Sequence, residues 1–441
     1  MLFREPKKLF EILYKMPDNR TILLTSSILF VYFTLFFLWN IDFPTTLNFD
    51  EFHYIPSARQ FLSFTENQNY EHPPFAKEMI ALGVKIVGDI PVGWRFMSTI
   101  FGSLTIVGMY LIALALFRNH LSGLFVALLT GVNNVTYVQA RIGMIDTIMA
   151  SLLVCAFASG LWAFIPRNES IKNPVVQKRL LDLSGVLIGL AVASKWFAVV
   201  PFAAFWVLFG FFSFFKWKEI PQHSFSRWDF VRSLLILPCI SYFITFLPYL
   251  WVTPTIGQNP YNLKDIFFNF QWKIWDGQRR VIGSHPYQSS WFQWPLMNRP
   301  IWYFFEASSN PQRVNGIVCL GNPLVFWGGL VTMNFAFWDF FRTRSFTGFW
   351  IVFTYSVLLF SWPFIPRELA FFYYYYPASL ILGLSWAYFL LSLTPEKKLL
   401  WVHGIVLFCA TILFFYFFPL LSGMNISYEK FLDLMWFRVW I

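Results

Sequence analysis

Residues 21–39 read TILLTSSILFVYFTLFFLW, an unbroken run without a charged side chain. A helix of roughly 20 mostly apolar residues can cross the hydrocarbon core of a membrane, which is about 30 Å thick. The residues that follow, Trp39-Asn40-Ile41-Asp42, lack the small side chains of a signal-peptide cleavage site. The run therefore predicts a permanent membrane anchor rather than a cleaved leader.

Similar apolar runs recur along the chain. Its 441 residues are 57% hydrophobic and only 13% charged, with a mean hydropathy of +0.54, which is typical of a membrane protein. We predict an all-α polytopic membrane protein with about 11 transmembrane helices. Lys195 and Pro201 interrupt one long apolar stretch, where two separate spans fit the charge pattern better than one kinked helix. The predicted spans are residues 21–39, 94–117, 121–138, 144–165, 183–198, 200–215, 229–251, 316–338, 347–364, 371–393 and 400–420.

Basic residues predict the orientation of these spans. Short cytoplasmic loops collect Lys and Arg, and alternate loops of this chain are basic, starting with Arg4, Lys7 and Lys8. The pattern places the N-terminus in the cytoplasm and the C-terminus outside. The net charge of +10 arises largely from these loops, so we expect no nucleic acid binding. All four cysteines lie inside predicted spans and are interpreted as packing residues: Cys155, Cys239, Cys319 and Cys409.

Two extracytoplasmic segments are long enough to form a site, residues 40–93 and 252–315. Without internal repeats or a separate soluble region, residues 1–441 are predicted to form a single membrane-embedded domain. Apolar periodicity predicts short surface helices over 55–64, with Pro56 near its first position, over 76–87, and over 262–274, capped by Asn262 and Asp265. These helices either pack at the membrane interface or shape a groove for a lipid-linked substrate.

Charged residues from distant parts of the sequence converge on the extracytoplasmic rim in this topology. They are Asp50, Glu51, His72, Lys77, Arg95, Arg141, Asp146, Lys195 and Arg367. Charges near a membrane are costly unless they are paired or used, so the cluster predicts either a functional site or a set of salt bridges. A carboxylate among cations suits transfer from a phosphate-bearing donor, since the carboxylate can accept a proton and the cations can offset phosphate charge. No cofactor is required for this chemistry, although a divalent metal held by Asp50, Glu51, His53 and His72 stays open as an alternative.

Aromatic side chains are dense in residues 285–295 and 371–376. Such residues form interfacial belts in membrane proteins. They also offer flat apolar faces to a sugar or an extended peptide, and Trp294 and Tyr374 are our candidates for that role.

Several short motifs, taken in order, resemble the protein O-mannosyltransferase family of C-type (GT-C) membrane glycosyltransferases. The motifs run from about residue 40 to residue 390 and are Phe49-Asp50-Glu51-Phe52-His53, Glu71-His72-Pro73-Pro74-Phe75-Ala76-Lys77, Gly93-Trp94-Arg95, Ala140-Arg141-Ile142-Gly143-Met144-Ile145-Asp146, Ser194-Lys195-Trp196, Trp294-Pro295-Leu296 with Arg299-Pro300, Gly321-Asn322-Pro323, and Arg367 with Phe371 to Ala378. Each motif alone is weak, but the ordered set is specific.

The resemblance implies an inverting enzyme that moves mannose from a polyprenyl phosphate to Ser or Thr hydroxyls of exported proteins. It implies that Asp50 is the general base, that Glu51 positions substrate, and that Arg95, Arg141 and Lys195 contact the donor phosphate or stabilise the site. The active site would lie on the extracytoplasmic face of the plasma membrane. Members often act as dimers, a property that this sequence leaves open.

Two departures from the family pattern stand out. The segment 252–315 is too short for the soluble β-trefoil repeats of eukaryotic members, so the chain resembles a compact prokaryotic-type member. The family's usual histidine in the late aromatic run is replaced by tyrosine within Tyr373 to Tyr376.

Two other functions are compatible with parts of this pattern. A C-type transferase acting on lipid A or a cell-wall glycan would share the acidic first loop and the basic rim. A transporter is disfavoured because the charges gather at one rim and the two halves of the chain do not resemble each other.

Overall fold

The computed structural model describes residues 13–165, 173–214, 225–252, 260–280, 283–307, 312–365 and 367–441. These ranges are dominated by helices. The helices are α1 (Asn19–Leu38), α2 (Glu51–Ser63), α3 (Phe75–Val87), α4 (Pro91–Phe117), α5 (His120–Gly131), α6 (Asn134–Gln139), α7 (Ile145–Phe164), α8 (Pro174–Val192), α9 (Val199–Phe214), α10 (Arg227–Trp251), α11 (Phe270–Arg279), α12 (Leu324–Thr343), α13 (Phe346–Phe364), α14 (Phe372–Leu393), α15 (Glu396–Ser422) and α16 (Tyr428–Leu434).

Within the described residues, eight helices are long and apolar enough to cross a membrane: α1, α4, α7, α10, α12, α13, α14 and α15. The count of 11 is not confirmed. The predicted span 121–138 is divided between α5 and α6, because the helix is interrupted at Val132 and Asn133. The apolar stretch around Lys195 breaks into two helices, α8 and α9, as predicted, but α8 covers Pro174–Val192 rather than 183–198, and neither helix is among the eight candidate spans.

α7 forms the centre of the bundle and packs between α4 and α8. Its residues are buried almost throughout. In contrast, α1 and α15 lie at the periphery of the bundle and expose most of their apolar surface. A helix that is apolar all round is typical of the interior of a membrane bundle. This arrangement fixes the starts of α4 and α7 and the segments that precede them, which carry polar residues of the site.

A small antiparallel sheet covers one end of the bundle. Strand β1 (Ile301–Ala307) pairs with β2 (Arg313–Cys319), with Ile301 opposite Cys319, and β2 pairs with the short β3 (Ile426–Ser427). The predicted span 316–338 is therefore wrong at its start: residues up to Cys319 form a strand, and the helix begins at Leu324. Val314 and Val318 are buried on one face of the strand, which produces the apolar character that the sequence analysis assigned to a helix.

The surface helices follow the predictions with one correction. α2 begins at Glu51 rather than near Pro56, since the backbone N–H groups of His53 and Tyr54 already donate to Asp50 O. Pro56 therefore lies inside the helix. The Asn262 cap is confirmed by reciprocal hydrogen bonds with Asp265 and starts a helical segment that continues to Arg279 as α11.

Candidate active site

Asp50 occupies the position immediately before α2. The preceding residue, Phe49, has a φ of 47°, a left-handed conformation that turns the chain into the helix. Asp50 Oδ2 accepts a hydrogen bond of 3.1 Å from the Tyr373 hydroxyl. Burial, followed by the nearby Asp146 carboxylate, raises the pKa of Asp50 above its ordinary value, while Lys195 and the Tyr373 bond act in the opposite direction.

Glu51 has a different environment from its neighbour. It is fully buried and forms a bidentate ion pair with Arg95, with N–O distances of 2.8 and 3.0 Å. Its oxygens also accept bonds from the backbone N–H groups of Gly143 at 2.8 Å and Asn48 at 3.1 Å. Arg95 donates further to the carbonyls of Ile41 and Thr46. The pair thus fixes the loop before Asp50 against α4 and the turn before α7.

Arg141 also binds the backbone of the chain. Its guanidinium donates to the carbonyls of Phe37, Trp39 and Asn40 at the end of α1 and lies 4.7 Å from the Tyr137 ring centroid. Cations at a helix C-terminus satisfy its unpaired carbonyls. Arg141 therefore anchors the beginning of the loop that carries Asp50.

Asp146 and Lys195 form a buried ion pair with a Nζ–Oδ1 distance of 2.7 Å. Asp146 Oδ2 has no hydrogen-bond partner among the described residues. Lys195 Nζ also lies 4.4 Å from the Tyr374 ring centroid and 5.4 Å from that of Tyr373. This pair connects α7 to the break between α8 and α9 and places a cation beside the tyrosines next to Asp50.

Lys77 is fully buried in α3 and does not reach across the rim. Its Nζ donates to the backbone carbonyls of Asn69 at 2.5 Å and His72 at 2.8 Å, which shapes the turn before α3. Burial lowers the Lys77 pKa to about 7. Burial, and then Lys195 and Arg367, lower the pKa of His72 well below its ordinary value.

Arg367 is held just before α14. Its Nε donates to Leu369 O at 3.0 Å, its Nη1 donates to Gln278 Oε1 at 2.9 Å, and its guanidinium carbon lies 5.3 Å from the Tyr374 ring centroid. Gln278, on α11, in turn donates through Nε2 to Glu71 O. The large loop, the first loop and the α14 entry are therefore joined at one point.

Two cavities meet at that point. The larger, of about 660 Å³, has Asp50, His53, Glu71, His285 and Tyr373 among its lining residues. The smaller, of about 150 Å³, has Lys195, Arg279 and the rings of Trp196, Trp275 and Trp362 in its wall. His72, Gln278 and Arg367 line both cavities.

The two aromatic candidates lie behind this junction. The Tyr374 ring stacks on Trp362 with a centroid distance of 4.8 Å and an interplanar angle of 4°, and it supports both Lys195 and Arg367. Trp294 is buried against Trp362 and donates through Nε1 to Ser289 Oγ at 3.0 Å. Tyr374 therefore supports the cations of the site directly, whereas Trp294 packs against Tyr374 and Trp362 behind them.

The described part of the chain contains no group of three or more His, Cys, Asp or Glu side chains arranged to hold a metal ion. Glu51, one of the four residues named for the metal alternative, has its oxygens engaged with Arg95, Gly143 and Asn48.

The sequence analysis missed Tyr373, Gln278 and His285 as individual site residues. Tyr373 and His285 lie in the aromatic segments that it singled out, but nothing distinguished them from their neighbours. Gln278 is uncharged and lies beyond the predicted end of its helix, so no signal pointed to it.

Similar folds occur in solved structures of membrane transferases. The chain is similar to the Saccharomyces cerevisiae protein O-mannosyltransferase Pmt1-Pmt2 complex bound to the sugar donor, with a TM-score of 0.83, 14% identity, and coverage of 99% of this chain and 95% of that chain. It is also similar to ArnT from Cupriavidus metallidurans bound to undecaprenyl phosphate, with a TM-score of 0.58, 17% identity, and coverage of 87% and 63%. The fold is that of the GT-C glycosyltransferases, which are integral multi-pass membrane proteins.

The family follows from the sequence comparisons. The family model "Dolichyl-phosphate-mannose-protein mannosyltransferase" matches residues 27–253, and the model "C-terminal four TMM region of protein-O-mannosyltransferase" matches residues 263–440. This chain belongs to the protein O-mannosyltransferase family and is a glycosyltransferase, which confirms the resemblance seen in its motifs.

The most similar relatives include bacterial proteins of comparable length. The polyprenol-phosphate-mannose–protein mannosyltransferase of Mycolicibacterium smegmatis is 23% identical, with coverage of 91% of this chain and 89% of the relative. The protein of the same name from Mycobacterium tuberculosis is 25% identical, with coverage of 89% and 86%. Mouse protein O-mannosyl-transferase 1 is 23% identical over 56% of this chain and 36% of its own length, consistent with a compact member of the family.

Proposed function

We propose that this protein transfers mannose from a polyprenyl-phosphate donor to Ser or Thr hydroxyls of exported proteins, with inversion at the sugar. The catalytic loop is residues 40–93, the large loop is residues 252–315, and both lie on the extracytoplasmic face of the plasma membrane. Asp50 is the general base.

The junction of the two cavities is the observation that carries this proposal. A transferase needs separate approaches for donor and acceptor that converge on the reacting atoms. The larger cavity, with Asp50 in its wall, suits a polypeptide acceptor, and the smaller cavity, with its tryptophans and cations, suits a lipid phosphate. Both reach Arg367.

The donor lipid enters the site laterally. Trp196 borders both the smaller cavity and an apolar groove of about 300 Å³ whose wall includes Val199, Phe202 and Phe243. Polyprenyl chains are hydrocarbons and partition into such surfaces. The phosphate then lies near Lys195 and Arg367, and Arg279 adds positive charge to the same wall.

The chemical step is a single displacement. The acceptor hydroxyl gives its proton to Asp50 while its oxygen forms a bond to the anomeric carbon. The bond between that carbon and the phosphate oxygen breaks, and its electron pair leaves with the polyprenyl phosphate. Lys195 and Arg367 offset the charge that develops on the phosphate, which is the usual role of fixed cations at a leaving group.

Replacement of the base tests this assignment. In purified membranes supplied with labelled polyprenyl-phosphate mannose and an acceptor protein, Asp50→Asn is expected to lower transfer by about a hundredfold to ten-thousandfold, the contribution typical of a positioned base. If Asp50→Asn transferred mannose at the wild-type rate, Asp50 would not be the general base.

The acceptor class needs a separate experiment. Mass spectrometry of exported proteins from cells with and without this chain should show hexose on Ser or Thr that disappears in the deletion. Intact protein modification together with loss of the sugar from lipid A or a cell-wall glycan would instead favour a transferase of the other acceptor class.

A further inference from the structure

Tyr373 contacts the proposed base directly but has no part in the displacement step. It is buried in the short turn that opens α14, and its hydroxyl donates to Asp50 Oδ2 at 3.1 Å. A donor at this distance occupies one carboxylate oxygen and leaves Oδ1 for another partner.

The Tyr373 ring is itself firmly held. It stacks on Phe371 with an interplanar angle of 11° and a centroid distance of 5.8 Å, and it meets Phe49 edge-on at 5.8 Å. Lys195 Nζ lies 5.4 Å from its ring centroid and is fixed by Asp146. Because Phe49 immediately precedes Asp50, the ring contacts and the hydroxyl bond position the same short segment.

We propose that Tyr373 is the positioning residue of the base: its hydroxyl fixes the Asp50 carboxylate so that Oδ1 faces the acceptor hydroxyl, and it stabilises the ionised form of Asp50. This inference rests on the proposed function, because it requires Asp50 to act as a base.

Other charged or titratable groups act on Asp50 from each element around it. They are His53 and Tyr54 on α2, Asp146 on α7, Lys195 between α8 and α9, Tyr303 on β1, and Arg367 before α14. Burial, and then Asp146, raise the Asp50 pKa, whereas Lys195, the Tyr373 bond and His53 lower it. Since the base must be ionised, activity falls as the pH drops through the Asp50 pKa. Loss of the Tyr373 bond therefore moves this acid limb to higher pH.

Tyr373→Phe in the full-length purified protein tests the inference, with initial rates of mannose transfer to an acceptor peptide measured from pH 5 to 9. We expect about a tenfold loss of kcat near neutral pH and an upward shift of the acid limb by about one pH unit, the effect of losing one hydrogen bond to a charged group. The KM for polyprenyl-phosphate mannose should change by less than about twofold, because Tyr373 acts through the base and not on the donor. Tyr373→His, which keeps a hydrogen-bond donor, should recover part of both losses.

Tyr375→Phe is the matched control. Tyr375 lies in the same turn, is equally buried, and pairs its hydroxyl with that of Tyr355 at 2.7 Å. It should leave the acid limb in place even if stability falls. An unshifted acid limb in Tyr373→Phe, or no difference between the Phe and His variants, would overturn the inference. If Tyr373→Phe has an unshifted acid limb while Asp50→Asn is inactive in the same assay, only the positioning role of Tyr373 fails and the proposed function stands. If the wild-type chain transfers no mannose, the proposed function itself fails.

Discussion

The adjacent carboxylates Asp50 and Glu51 illustrate how neighbouring residues acquire different roles. Consecutive side chains of a helix are directed about 100° apart, so two neighbours can lie in different environments. Asp50 lines the larger cavity, and within the described residues its carboxylate accepts one hydrogen bond, from Tyr373. Glu51 turns inward and is engaged by Arg95 and two backbone N–H groups. The geometry favours a structural role for Glu51, and its predicted part in substrate positioning is indirect.

Glu51→Gln is therefore expected to destabilise the fold. It removes the partner of a buried guanidinium, and breaking a buried pair on one side typically costs about 3–5 kcal/mol. Thermal unfolding in detergent should show a clearly lower Tm for Glu51→Gln than for Asp50→Asn, whose side chain is half-buried at a cavity wall. A Glu51→Gln protein with wild-type Tm and no transfer would instead indicate direct contact with substrate.

Charge was the feature that made site residues predictable from sequence. Asp50, Asp146, Lys195 and Arg367 stand out in an apolar chain because a membrane tolerates few charges, and the structure brings them together. Tyr373 could not be separated from its neighbours, since which ring meets Asp50 depends on packing between α2 and the start of α14. Arg95 and Arg141 carry the same sequence signal but bind backbone carbonyls.

At the scale of elements, α11 connects the two loops that are predicted to be extracytoplasmic. Its last turn carries Gln278, which bridges Glu71 of the first loop to Arg367 before α14. The helix start was predictable from the Asn262 cap, a local signal. Strands β1 and β2 were not predicted, because their pairing is non-local and an apolar strand such as 313–319 resembles the start of a helix.

Gln278→Ala should loosen this connection. Without the amide, Arg367 loses the acceptor of its Nη1 group, and the junction of the two cavities is less well ordered. We expect the KM values for donor and acceptor to rise by about threefold to tenfold, with a smaller change in kcat. Steady-state kinetics with each substrate varied in turn would measure both constants.

Asp276→Asn provides the control on the same helix. Asp276 pairs with Arg280 at the surface, where such a bridge contributes little to stability. Unchanged KM values in Gln278→Ala, or an equal rise in Asp276→Asn, would show that α11 does not act through Gln278.

At the scale of the whole molecule, the polar segments separate into two ends of the bundle. Tyr14 and Lys15 contact Asn119, His120 and Leu400 at one end. The sheet and the C-terminal residues gather at the other, where Arg299 and Trp302 donate to the carbonyls of Val439 and Trp440. Phe49, beside Asp50, contacts Tyr303 of β1 at this second end.

The two ends make the predicted orientation testable with single cysteines. The loop that carries Lys397 and Lys398 lies at the Tyr14 end, and cytoplasmic loops collect such basic residues. We therefore expect Ser63→Cys, at the end of α2, and Ser427→Cys, in β3, to react with an impermeant thiol reagent on intact cells, because both positions are exposed. Lys397→Cys, exposed at the opposite end, should react only after the membrane is permeabilised.

The unsubstituted chain serves as the control for the native cysteines Cys239 and Cys409. The reverse labelling pattern would place Asp50 on the cytoplasmic side, where exported acceptors do not reach it, and the proposed function would fail with the orientation.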